Sequence, residues 1–167
     1  MSKSQPLATS PSPQPSLLEE AIHIAIQGVN ANQGGPFGAV IVKDRKIIGR
    51  GCNRVTSTND PTAHAEIVAI RDACQTLGVY HLVDCELYAS CEPCPMCLAA
   101  IYWARLERCY FAAHAADSAA AGFSDEFIRE QFALGPHERA LSVSQVPHKE
   151  AAAPFEAWHA KHDRRPY

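Results

Sequence analysis

The chain has 167 residues, 47% of them hydrophobic and 20% charged, with a formal net charge of −3. That is room for one domain with its own core, and the slightly acidic balance argues against the basic face that binding nucleic acid by counterion release requires. No apolar run reaches the roughly 18 residues of a bilayer span, so neither a nucleic acid nor a membrane is an expected partner. The seven cysteines are an odd number, several of them inside apolar segments, which argues against a disulfide framework and for a reducing cytoplasm.

Residues 1–15, "MSKSQPLATSPSPQP", are rich in Ser and Pro and lack the apolar middle of a signal peptide. They read as a disordered lead-in. From Ser16, a cap candidate, Leu17, Leu18, Ala21, Ile22, Ala25 and Val29 recur at helical spacing until "GGPFGA" breaks the pattern. "GAVIVKDRKIIGRGCN" predicts a hairpin with Asp44–Lys46 as its polar turn. A loop follows, then Thr62 as the cap of a helix whose apolar positions are 67, 70, 73, 74 and 77, closed by Gly78. "CELYAS" predicts a third strand, Pro95 opens the helix "PMCLAAIYWARL", and "RCYFAA" is a fourth strand. "HAADSAAAGFSDEFIREQF" is a loop running into a helix, "LSVSQV" predicts a fifth strand, and "APFEAWHAKH" a last short helix. Strands alternating with helices imply crossovers and a three-layer α/β/α domain.

The chemistry concentrates in "PTAHAEIVAI" and "SCEPCPMCLAAI". Taken singly, each fragment has an ordinary explanation. A histidine at a helix start is usually structural, and C-x-x-C serves redox pairs and structural zinc sites alike. Taken together, H-x-E and P-C-x-x-C form the pattern used by zinc-dependent nucleobase deaminases. His64 and Glu66 in a first turn can lean toward one point beyond the helix end, and Cys94 and Cys97 share one face of another first turn. Two thiolates and a neutral imidazole balance the charge of a zinc ion and leave one coordination position for water. Glu66 is then the proton carrier. Cys91 as a fourth thiolate would make a closed structural site. It lies before the turn set by Pro93 and Pro95, and a closed site would leave Glu66 without a task.

The segments "GGPFGAVIVKD", "NDPTAHAEI", "SCEPCPMCLAAIYWAR", "AAGFSDEFI" and "PFEAWHAKHDRRPY" carry a closer likeness. Over residues 16–167 the chain resembles the bacterial guanine deaminases of the cytidine/deoxycytidylate deaminase superfamily. The resemblance implies a cytidine-deaminase-like fold with a five-stranded mixed sheet between helices. It implies a single zinc-dependent deaminase domain at 16–167 with a C-terminal lid at about 154–167. It further implies hydrolysis of guanine to xanthine and ammonia, with Zn2+ on His64, Cys94 and Cys97 and Glu66 as the catalytic residue. The implied substrate pocket is Phe37, Asn53, His64, Ala65, Trp103, Asp125 and Tyr167. Phe37 and the His64 ring sandwich the purine, Asn53 bonds its edge, and Tyr167 belongs to the lid. The implied assembly is a homodimer with exchanged C-terminal segments. The zinc motifs alone leave other readings open: a tRNA-adenosine deaminase, a deaminase of another small ring, or a zinc-stabilised binding module without catalysis.

Overall fold

Side chains alternate across the central strands, and the two faces they make are packed by different means. The structure, a computed structural model, describes residues 12–167. The lead-in expected at 1–15 lies outside the described residues as far as position 11. The chain forms two compact units, one running to Ser124 and one from Asp125 to Tyr167.

In the first unit the elements follow as α1 (Pro15–Asn30), β1 (Gly38–Lys43), β2 (Lys46–Cys52), α2 (Val55–Thr58), α3 (Ala65–Leu77), β3 (Cys85–Cys91), α4 (Pro95–Trp103), β4 (Arg108–Ala113) and α5 (Ala115–Ala120). The sheet order is β2-β1-β3-β4. β1 runs antiparallel to β2 and to β3, while β3 and β4 are parallel, joined by the α4 crossover. The β1–β2 hairpin turns on Asp44 and Arg45 at φ 49° and 64°, two left-handed residues that match the twist of the strands.

Val40, Val42 and Tyr88 point to one face, where Leu17 of α1 covers them. Ala39, Ile41, Leu87 and Ala89 point to the other, where they meet Ala65, Ala69 and Ala73 of α3 and Ile101 of α4. The unit is therefore three layers, α/β/α. The helices come very close to the sheet. A Cβ placed on Gly38 would lie 2.1 Å from the Ala21 carbonyl oxygen of α1. One placed on Gly51 would lie 2.2 Å from the Ala65 carbonyl oxygen of α3. Glycine on the strand and alanine on the helix are what permit this contact.

That packing moves the buried stripe of α3. The periodicity of large apolar residues predicts 67, 70, 73, 74 and 77 as its inner face, but the buried positions are Ala65, Glu66, Ala69 and Ala73. Ile70 and Cys74 pack only at the margin, and Leu77 is exposed. The caps shift too. α1 starts at Pro15 with Gln14 as its N-cap, so Ser16 lies inside the helix. His64 is the N-cap of α3. Thr62, the expected cap, gives its amide and hydroxyl hydrogens to Asp60 Oδ1. Gly78 closes α3 in the left-handed conformation and Pro95 opens α4, both as predicted.

The second unit holds α6 (Glu126–Ala133) and α7 (Ala153–Ala160). The fifth strand expected at 141–146 is absent. The stretch is irregular, with Leu141, Val143 and Val146 all well exposed. An alternating sequence becomes a strand only where a neighbouring strand takes its backbone groups, and this unit contains none. The sheet of the described residues thus has four strands, not five. No residue of the second unit is buried. No helix among the described residues is long and apolar enough to cross a membrane.

Replacing Gly51 with Val is expected to destabilise the folded chain by at least about 1–3 kcal/mol, because the added atoms meet backbone that has no rotamer to yield. The check is a fall in Tm. Gly78→Asn, in open space at a left-handed cap, is the matched control and should shift stability by less than about 1 kcal/mol.

Candidate metal centre and active site

Two helices begin at the same place. His64, the N-cap of α3, and Cys94, the N-cap of α4, both have extended backbone, at φ −69°, ψ 156° and φ −67°, ψ 168°. Glu66 and Cys97 sit in the first turns that follow. The approach to α3 is held by Arg54 N–H, which donates to the Ala63 carbonyl at 2.9 Å. The approach to α4 is shaped by Pro95 at its first position.

His64 Nδ1 lies 3.6 Å from Cys94 Sγ and 3.6 Å from Cys97 Sγ. Zinc bonds of about 2.3 Å to sulfur and 2.0–2.1 Å to nitrogen, set at a tetrahedral angle, put the two ligand atoms about 3.6 Å apart. The nitrogen therefore stands at tetrahedral edge distance from both sulfurs. All three lie within 4.8 Å of one another, and theirs is the group of three or more potential metal ligands found among the described residues. The residues fit a zinc ion.

The protons tell the same story. Cys94 is pulled down to about 4, first by the hydrogen bond it receives from Cys97 and also by His64. Cys97 is pushed far up, first by that same bond and then by burial. His64 is raised by its bond to Cys94. The two adjacent thiols are pushed in opposite directions by the hydrogen bond between them. A cation between them lets both ionise, and the positive end of the α4 dipole assists.

Glu66 is buried, and its Oε2 accepts from Cys97 Sγ at 3.4 Å. Burial raises its pKa above the ordinary carboxylate range. It lies at the cluster without belonging to the three-ligand group. Cys91 also stands outside that group, its buried thiol donating to the His114 carbonyl at 3.6 Å.

Asn53 is buried beside this centre's approach loop. Its Oδ1 accepts from Gly35 N–H at 3.1 Å and from Val55 N–H at 3.2 Å. Those two bonds fix which end of the amide is oxygen, and leave its NH2 to donate elsewhere. Asn53 N–H donates to the Phe37 carbonyl at 3.0 Å, which ties the two residues together. Ala65 is buried in the core beneath the start of α3. Trp103 is placed differently. It ends α4 and is 69% exposed. At about 1.5 Å per residue its backbone stands about 13 Å along the helix from that of Cys94. Asp125 and Tyr167 belong to the second unit, where Asp125 pairs with Arg129 at 3.0 Å and Tyr167 is exposed.

Three residues near the centre carry no sequence signal of their own. Ser90 Oγ accepts from Gly38 N–H at 3.0 Å at the end of β3. Glu92 accepts from Ala115 N–H at 3.1 Å. Phe123 stands edge-on to Phe37. Each acts across a long stretch of chain, and only the Gly122 turn before Phe123 marks one of them locally.

The sequence profile of the cytidine and deoxycytidylate deaminase zinc-binding region matches residues 12–113. The chain belongs to this deaminase family. Its fold is accordingly the α/β cytidine-deaminase-like fold, and zinc is its metal. The guanine deaminase of Bacillus subtilis (strain 168) is 53% identical over 150 residues, covering 90% of this chain and 96% of that protein. The X-ray structure of guanine deaminase from Bacillus subtilis matches with a TM-score of 0.89 at 51% identity, over 93% of this chain and 99% of that one. A tRNA-specific adenosine deaminase of Agrobacterium fabrum (strain C58 / ATCC 33970) is 51% identical over 78 residues, covering 47% of this deaminase chain and 51% of that protein.

If His64, Cys94 and Cys97 hold the metal, Cys94→Ala and Cys97→Ala should each reduce bound zinc from about one per chain to near none. Cys91→Ala should leave it unchanged. Metal analysis of the purified variants decides, and zinc loss confined to the Cys91 variant would name a different ligand set.

Proposed function

We propose that the chain hydrolyses guanine to xanthine and ammonia. The observation that carries this reading is the likeness to a guanine deaminase along almost the whole of both chains, the second unit included. The likeness to the tRNA-specific adenosine deaminase covers less than half of the chain.

In this reading His64, Cys94 and Cys97 hold zinc. Zinc held there would lower the pKa of a water toward neutrality. Glu66 Oε2, beside the cluster, would take a proton from the attacking water as its oxygen bonds to carbon 2 of the base. The raised pKa of the buried carboxyl suits it to hold that proton. Glu66 then gives it to the ring nitrogen beside carbon 2, and a further transfer through the same carboxyl lets the amino group leave as ammonia. Asn53 offers its NH2 to an oxygen or nitrogen on the base edge. Phe37 and the His64 ring hold the purine plane, and Ala65 floors the pocket at the start of α3.

The remaining pocket residues are assigned to a homodimer with exchanged C-terminal segments. One deaminase domain, 16–167, would carry its own lid at about 154–167, and Asp125 and Tyr167 would complete a site. The support is the second unit itself. It buries no residue and exposes Phe127, Phe132 and Phe155 at 60%, 67% and 68%. So much aromatic surface on one short segment calls for a covering partner. Trp103 and Tyr102, at the exposed end of α4, offer another apolar contact. A cytoplasmic setting suits the seven free thiols.

Ammonia release should be measured over a panel of free bases, nucleosides and tRNA. Guanine is expected to react, and a preference for tRNA would overturn the proposal. Glu66→Gln should keep its zinc and lose roughly a hundredfold to ten-thousandfold in turnover. Wild-type turnover in that variant would remove Glu66 from the mechanism. Deleting residues 164–167 should leave a folded, zinc-loaded chain with severely reduced activity. Mixing it with the Glu66→Gln chain should restore part of that activity if the lid acts on the neighbouring subunit. Subunit exchange without recovery would rule against the exchange.

A further inference from the structure

Phe123 meets Phe37 edge-on, with ring centroids 5.2 Å apart and planes at 89°. In that arrangement the positive edge of one ring faces the negative face of the other. Phe123 itself is 45% exposed, so burial alone gives it little reason to be aromatic.

The segment that carries it is fixed at both ends. At the start of α5, Ala115 N–H donates to Glu92 in the metal-binding loop at 3.1 Å, and the Cys91 thiol donates to the His114 carbonyl at 3.6 Å. His114 and Asp117 close the first turn as a reciprocal capping box. At the far end Gly122 N–H donates to the Ala119 carbonyl at 3.0 Å, and Phe123 N–H to the Ser118 carbonyl at 2.9 Å. Gly122 at φ 92° makes the turn that sends Phe123 back toward the sheet. α5 is thus a strut between the metal-binding loop and the Phe37 ring.

Gly35 closes the arrangement. A Cβ there would lie 3.1 Å from Phe123 Cε1 and 3.2 Å from the Phe37 ring carbons, and its N–H is the one bonded to Asn53 Oδ1. One glycine therefore bonds the amide and leaves the two rings the space that a side chain would take. A side chain at this position would crowd both rings.

We propose that Phe123 is a positioning residue for the deamination: it fixes the tilt of Phe37 and so sets the width of the slot that a flat base enters. This rests on Phe37 being a wall of the substrate site. Phe123 touches no reacting atom. It acts through Phe37, and the strut links that wall to Glu92, in the loop that leads to Cys94 and α4.

The test is a double-mutant cycle on the zinc-loaded enzyme, with KM, kcat and zinc content measured for each chain. Phe123→Ala should raise KM about twofold to tenfold, the worth of one edge-to-face pair. kcat should change much less, and zinc should stay near one per chain. Phe123→Tyr should restore KM, and Phe123→Leu, which keeps volume without a ring edge, should not. In a Phe37→Ala background the Phe123→Ala change should add nothing. An unchanged KM in Phe123→Ala, full recovery with Leu, or additive effects in the double variant would each overturn the proposal. A wild type that deaminates some other base refutes the substrate reading alone, and the cycle is then scored on that base. A wild type that releases no ammonia from any member of the panel refutes both.

Discussion

Two helices aim their positive ends at one spot, and everything at the site depends on that convergence. Facing N-termini would repel if nothing anionic stood between them. The chain answers with sulfur. Cys94 caps α4 and Cys97 lies one turn in, so two groups able to carry negative charge sit where two dipoles end. His64 adds a neutral nitrogen at the same distance from both. Glu66, buried one step beyond, is left over from the charge balance and is therefore available to carry protons. Its environment differs from that of the ligands only by a few ångströms, yet burial moves it toward the protonated form while Cys94 moves the opposite way.

The convergence is set by the sheet. β3 delivers the loop that precedes α4, and β2 carries the chain past Asn53 and on toward α3. Because Gly51 faces Ala65 and Gly38 faces Ala21, each helix comes close to its strand's backbone as well as packing on it through side chains. The active-site loops are then the connections between elements that have little freedom to slide. Asn53 shows the effect well: it serves the loop as a double hydrogen-bond acceptor while keeping its amino group for another partner.

The centre was legible in the sequence because its chemistry is local. His64 with Glu66, and Cys94 with Cys97, are short spacings read directly against helix geometry, and Pro95 and Gly78 mark their own boundaries. The inner face of α3 was not legible, since periodicity weighs large residues and the packing selects small ones. The segment 141–146 alternates like a strand, but alternation describes faces and says nothing of whether a neighbour exists. Phe37 and Phe123 meet across more than eighty residues of chain, and no spacing rule reaches that far.

Glycine and alanine have no side-chain rotamers to lose. A helix seated through them, as α3 is seated on β2, spends no side-chain entropy to become fixed. The His64 nitrogen is already at tetrahedral spacing from both sulfurs in the protein's own fold. The two helix starts that carry the ligands are held by the sheet, so bound zinc would add its binding free energy to a fold with a hydrophobic core of its own.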